Sequence, residues 1–158
     1  MNTALLVIDM QKHFYKGESK ENMDLIKKNV VKAINIFRSA KKPIIWIYHR
    51  NMKDDLYEGK DGFQFIEGFD QKENESKVIK EYGNGFKGTQ LDSILNKNGI
   101  DNLVLCGYRA EGCVFATYSG AKKMKYKARI LKDAIASSSK ILMKLIEAIN
   151  KTVQITEI

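Results

Sequence analysis

The chain is poor in the residues that interrupt, cross-link or ligate, with 1 proline, 2 cysteines and 2 histidines in 158 residues. The cysteines, Cys106 and Cys113, fall one inside an apolar run and one beyond its end. That spacing argues against a disulfide framework and for reduced thiols in the cytoplasm. The histidines, His13 and His49, lie in different segments, so a zinc or iron site built on clustered histidines is not expected and no cofactor is assigned. No apolar run approaches the length that crosses a bilayer. The opening MNTALLVIDM carries no basic leader and no cleavage site, and it reads as a first strand. No repeat, low-complexity tract or linker divides residues 1–158, which are read as one domain. Acidic residues are the minority charge, 19 against 27 Lys and Arg, for a formal net charge of +8. The excess lysines are spread over several helical segments. The densest cluster, KKMKYK at 122–127, reads as a helix end and a turn, so neither nucleic acid nor membrane is expected as a partner.

What the chain does have is an alternation of short apolar runs with segments of helical apolar spacing. Residues 4–9 read as a buried strand that turns abruptly polar at Asp9. Residues 22–40 carry Leu25, Ile26, Val30, Ala33, Ile34 and Phe37 at helical spacing, and Pro43 stops the pattern. Residues 44–48, IIWIY, are a second strand. Residues 50–76 are polar, glycine-containing and weakly periodic, a long connection of the kind that often forms a lid or binding loop. A short strand at 78–80 follows. Thr89 with Asp92 resembles a capping pair for a helix that Gly99 ends. Then come a strand at 102–106, a helix from Cys113 to about Met124, a strand at 128–132, a helix at about 138–150 and a last strand at 153–157. This order predicts an α/β three-layer sandwich with a mainly parallel sheet of about six strands.

In a parallel sheet the carboxyl ends of the strands share one edge, where open α/β folds bind ligands. Asp9 and Lys80 end two of these strands, and Cys113 lies just past a third. The set makes chemical sense: a carboxylate can take a thiol proton and return it to a leaving amine. An ammonium and a helix start favour a thiolate, while a nearby carboxylate opposes it. The balance predicts a Cys113 pKa below the free-thiol value of about 8.5. Cys106, inside its strand, reads as a small buried hydrophobe. His49 reads as a structural hydrogen-bonding residue. Gln11, Phe14, Phe86, Tyr108 and Tyr118 are candidates for lining the substrate pocket, with packing against the sheet as the alternative. Gly83, Gly85 and Gly88 lack the spacing of a phosphate loop.

Four segments resemble the isochorismatase-like cysteine hydrolases: ALLVIDMQKHF, VIKEYGNGFKGTQLDSIL, LVLCGYRAEGCVFAT and AKKMKYKARILKDA. They occur in order and span nearly the whole chain. The last segment departs from the family pattern in carrying Lys125 where a glycine is usual. The resemblance implies strand order 3-2-1-4-5-6, Asp9 as general base and acid, Lys80 as electrostatic partner and Cys113 as nucleophile. It also implies a non-proline cis peptide between Tyr108 and Arg109 that aims the Arg109 N–H beside that of Cys113, forming an oxyanion hole. The implied activity is hydrolysis of a C–N bond in a small amide or ureido substrate, by a homo-oligomer, dimer or tetramer. The nicotinamidases of this family carry a metal site with further histidines after the second strand, and YHRN at 48–51 offers only His49. Three other readings stay open. One is a non-catalytic binding or regulatory protein, which the bulky Tyr108-Arg109 turn allows. Another is vinyl-ether hydrolysis of the isochorismatase type, which Cys113 disfavours. The third is a redox-active thiol, for which no resolving cysteine stands at a convincing spacing.

Overall fold

The computed structural model describes residues 2–158. Six strands form one sheet: β1 (Thr3–Ile8), β2 (Ile44–His49), β3 (Ser76–Lys80), β4 (Asn102–Tyr108), β5 (Lys127–Ala136) and β6 (Thr152–Val153). Their spatial order is β3-β2-β1-β4-β5-β6 and every pairing is parallel, as the sequence and the resemblance predict. Alternate residues of the central strands feed two cores. Leu5, Val7, Trp46, Val104 and Cys106 face α1 (Gly17–Ser39). Leu6, Ile8, Ile45, Ile47, Leu103 and Leu105 face the side of α2 (Leu91–Lys97), α3 (Phe115–Lys123) and α4 (Lys140–Ile149).

Several elements depart from the sequence reading, each for a local reason. Helix α1 begins five residues early, at Gly17, because its polar first turns have buried partners: Ser19 bonds the Tyr108 hydroxyl at 2.9 Å and Asn22 donates to the Ser137 carbonyl at 2.8 Å. Strand β5 is longer than 128–132, since a bulge between Ile130 and Ile135, with Asp133 at φ 57°, lets it resume beside β4. Strand β6 stops at Val153, where Gln154 and Glu157 close a capping box on a short 3₁₀ turn instead of extending the ladder. At α2, Thr89 Oγ1 accepts from the Leu91 N–H, but Asp92 does not return the bond; its carboxylate accepts from the Tyr126 hydroxyl at 2.6 Å.

The 50–76 connection holds two 3₁₀ turns, Met52–Asp54 and Asp61–Phe63, and is largely an anchored plug. Leu56, Phe63, Phe65, Ile66 and Phe69 are buried in the α1-side core, with Phe63 stacked on Tyr48 at 5.0 Å. No helix among the described residues is long and apolar enough to cross a membrane.

Candidate active site

The polar end of β1 turns sharply. Asp9 takes φ 50°, a left-handed conformation that a short carboxylate side chain tolerates. One strand over, Gly107 has φ 116°, and a Cβ there would stand 2.1 Å from the Ile8 carbonyl oxygen. Only glycine lets β4 lie this close to β1, directly beneath the site. Beyond it, the Tyr108–Arg109 peptide is cis, as the resemblance implies. Residues Ala110–Val114 then form one wide helical turn broken at Gly112, and α3 starts only at Phe115. Cys113 therefore sits in the entry turn rather than at the first residue of a regular helix.

Lys80 brings these parts together. Its ammonium lies 2.8 Å from Asp9 Oδ2, 3.2 Å from Cys113 Sγ and 3.0 Å from His49 Nδ1. The Lys80 and Asp9 side chains are 0% and 1% exposed. The carboxylate, ring-nitrogen and sulfur atoms of Asp9, His49 and Cys113 converge within 4.8 Å, and the cation among them is this ammonium. A divalent ion there would have to displace a buried positive charge, so the residues present do not fit one. The other carboxylate oxygen, Asp9 Oδ1, is buried with no hydrogen-bond partner. Among the described residues the Arg109 N–H likewise makes no hydrogen bond within the chain.

The electrostatics reverse one expectation. Burial raises the Cys113 thiol and the Asp9 charge raises it further, while Lys80 opposes both; the net result is a pKa pushed up to about 12 instead of lowered. Burial works against the Lys80 ammonium, but Asp9 and Cys113 outweigh it and hold its pKa above the ordinary lysine value. The resting site thus combines a neutral thiol with a carboxylate–ammonium pair. Cys106 is fully buried, its pKa is raised by burial alone, and its thiol points to the Leu6 carbonyl.

The candidate lining residues separate into two groups. Phe14 stacks on Tyr108 at 5.2 Å and stands 6.4 Å from the His49 ring, so both aromatics flank the site. Gln11 is fully buried with its amide already engaged. It accepts from the His49 N–H at 2.8 Å and donates to the His49 and Phe63 carbonyls, each at 3.0 Å. It braces the end of β2 and has no free group for a ligand. Phe86 stacks on Tyr126 at 5.7 Å, packed on the α2/α3 side, and Tyr118 is 2% exposed with its hydroxyl accepting from the Lys151 N–H. The structure does not bring these two to Cys113. His49, read from the sequence as a structural hydrogen-bonding residue, makes its bond to Lys80, a partner that the sequence reading did not name. Its signal was register: His49 pairs with Lys80 across β2 and β3.

The segment after Lys80 is tied to the helix that follows Cys113. The Gly85 N–H donates to Thr117 Oγ1 at 2.9 Å, and Asn84 fills the space above Gly120. The same architecture recurs in known proteins. An isochorismatase-like hydrolase from Alkaliphilus metalliredigens superposes with TM-score 0.89 at 26% identity, over 99% of this chain and 88% of that one. An N-carbamoylsarcosine amidase from Thermoplasma acidophilum gives 0.83 at 27% identity, over 100% and 99%. In sequence, the uncharacterized isochorismatase family protein YddQ of Bacillus subtilis is 28% identical over 144 residues, 88% of this chain and 80% of its own length. The isochorismatase domain model matches residues 3–154, the whole sheet and all the strand ends that converge on Lys80, and the chain belongs to the isochorismatase family of hydrolases.

Proposed function

We propose that the protein hydrolyses a C–N bond in a small amide or ureido compound through a Cys113 thioester. The observation that carries this reading is the Lys80 ammonium bridging Asp9 Oδ2 and Cys113 Sγ while Asp9 Oδ1 stays buried and unpartnered. A buried acceptor without a donor costs about 1–3 kcal/mol, and the Asp9 carboxylate that carries it lies within 4.8 Å of the Cys113 sulfur.

In the proposed cycle Asp9 takes the Sγ proton as the sulfur attacks the carbonyl carbon. The oxyanion is received by the N–H groups of Arg109 and Cys113, beside the Lys80 charge. Collapse breaks the C–N bond, and the leaving nitrogen takes the proton from Asp9. Water then gives a proton to Asp9 and attacks the thioester, and the departing sulfur recovers that proton. Because the thiol is neutral at rest, attack and proton transfer are coupled and no standing thiolate is required. Lys80 keeps the carboxylate and the developing sulfur charge compensated throughout. Phe14 and Tyr108 supply the apolar flank that a small substrate would meet.

Structural likeness to an N-carbamoylsarcosine amidase supports a ureido or amide carbonyl as the target. A homo-oligomer is supported by α4, whose Ile141, Leu145 and Ile149 are exposed on one face. The test is ammonia release from a panel of small amides and ureido compounds by wild type and Cys113→Ala. Release that depends on Cys113 is the expected result, and equal release by the variant would sink the proposal.

A further inference from the structure

His49 meets the reactive cluster but has no part in the cycle above. A lysine ammonium has three N–H donors and no acceptor. Lys80 is 1% exposed, so water cannot serve any donor that the protein leaves unfilled. Two donors point to Asp9 and Cys113, and the third meets His49 Nδ1 at 3.0 Å. An imidazole nitrogen that faces an ammonium must present its lone pair, which places the ring proton of neutral His49 on Nε2. The backbone of His49 is held on both sides by Gln11, through the N–H at 2.8 Å and the carbonyl at 3.0 Å. The ring is thereby delivered to Lys80 by a side chain that does nothing else in the site except brace Phe63.

Resting on the cysteine-hydrolase reading, we propose that His49 is a positioning residue. As a neutral acceptor it completes the ammonium's shell and aims the other two N–H groups at Asp9 and Cys113. Protonated, it would turn a donor toward a donor and break that arrangement. Burial and the Lys80 charge both hold His49 below its ordinary value of 6.5. His13 acts in the same direction, while Asp9 and Asp54 pull the other way. The Cys113 thiol shares Lys80 with it.

Two substitutions separate positioning from packing. His49→Asn keeps an acceptor near the Nδ1 position but does not titrate in this range; His49→Phe keeps a ring but has no lone pair. The readout is the rate of Cys113 alkylation by iodoacetamide across about pH 5 to 9, mapped by mass spectrometry, with melting temperature as a control. Wild type is expected to show an inflection below 6.5. His49→Asn should lose that inflection while keeping the neutral rate within a few-fold. His49→Phe should alkylate about tenfold more slowly at neutral pH, the worth of one charge-assisted hydrogen bond. Nitrogen NMR of the His49 ring in the full chain should show Nδ1 unprotonated at neutral pH, and Lys80→Met should raise the pKa of the ring. Superposed profiles for all three proteins, or a neutral ring protonated on Nδ1, would overturn the assignment. A wild type that shows these signatures but releases no ammonia from any amide would refute the hydrolase reading while leaving the His49 assignment standing.

Discussion

At one end of β3 Glu75 meets Arg38; at the other Lys80 meets Asp9. Both join a carboxylate to a cation, Lys80 and Asp9 fully buried and Arg38 still partly exposed, and their hydrogen bonding is opposite. Glu75 accepts from Arg38 through two bonds of 2.6 and 2.9 Å, from the Trp46 indole at 2.8 Å and from the Lys72 N–H at 2.9 Å. Both of its oxygens are engaged. Asp9 accepts from Lys80 through one oxygen and leaves the other buried and free. A fully satisfied buried pair rigidifies a fold. A pair with an idle acceptor next to a thiol has capacity left for a proton. The contrast explains why two similar charge pairs on one strand would serve different ends.

The sharpest way to break that comparison is to remove the groups proposed to react. Cys113→Ala and Asp9→Asn are each expected to lower amide turnover by about 10⁴-fold or more, read by ammonia release. Cys113→Ala should leave the melting temperature nearly unchanged, while Cys106→Ala should do the reverse, losing stability and keeping activity. Survival of turnover in Cys113→Ala would erase the distinction between the two ends of β3.

Next in size are the ion pairs themselves. Glu75→Ala removes the acceptor that Arg38, Trp46 and the Lys72 N–H share and should cost about 1–3 kcal/mol in chemical denaturation, with activity intact in the folded fraction. Lys80→Met strands the fully buried Asp9 carboxylate and should cost more, about 3–5 kcal/mol, while also impairing turnover. Adding Asp9→Asn to Lys80→Met should recover part of that stability, because no unpaired charge remains. A double variant no more stable than the single would show that the Lys80–Asp9 pair does not carry the fold at this end.

A smaller effect separates the two pairs by pH. Burial opposes ionisation of Glu75, but Arg38, the Lys72 N–H and Trp46 outweigh it and hold its pKa below 4.5. The unfolded state therefore binds the proton more readily. This stabilisation is present above the unfolded value and is lost as pH falls through the folded one. Lys80 is held above 10.5, so its contribution is present below that value and is lost as pH rises through the folded pKa. Urea midpoints against pH should show an acid limb that flattens in Glu75→Gln and an alkaline limb that flattens in Lys80→Met.

The smallest expected effect concerns a departure from the family pattern. Lys125 stands in the glycine position of its segment and has φ 66°. Left-handed backbone costs a side-chain-bearing residue about 1–2 kcal/mol, part of which glycine's greater unfolded entropy takes back. Lys125→Gly should therefore raise stability by about 0.5–1 kcal/mol and leave activity unchanged.

What the sequence by itself determined is what local pattern can carry. Short continuous apolar runs and helical apolar spacing located the strands and helices in order. Asp9 and Lys80 were legible because each ends an apolar run, and Cys113 because it follows one; in a parallel sheet such positions must share an edge. Only the tertiary structure decided the rest. The thiol's pKa moved up rather than down because burial and the Asp9 charge outweigh Lys80, and burial has no local signature. Gln11 looked like a pocket residue until folding used its amide to brace His49 and Phe63. Phe86 and Tyr118 carry suitable chemistry but pack elsewhere. His49 gained its place from pairing with Lys80, 31 residues away. Which polar atoms end up satisfied, and which one stays free, depends on long-range packing that no short stretch of sequence encodes.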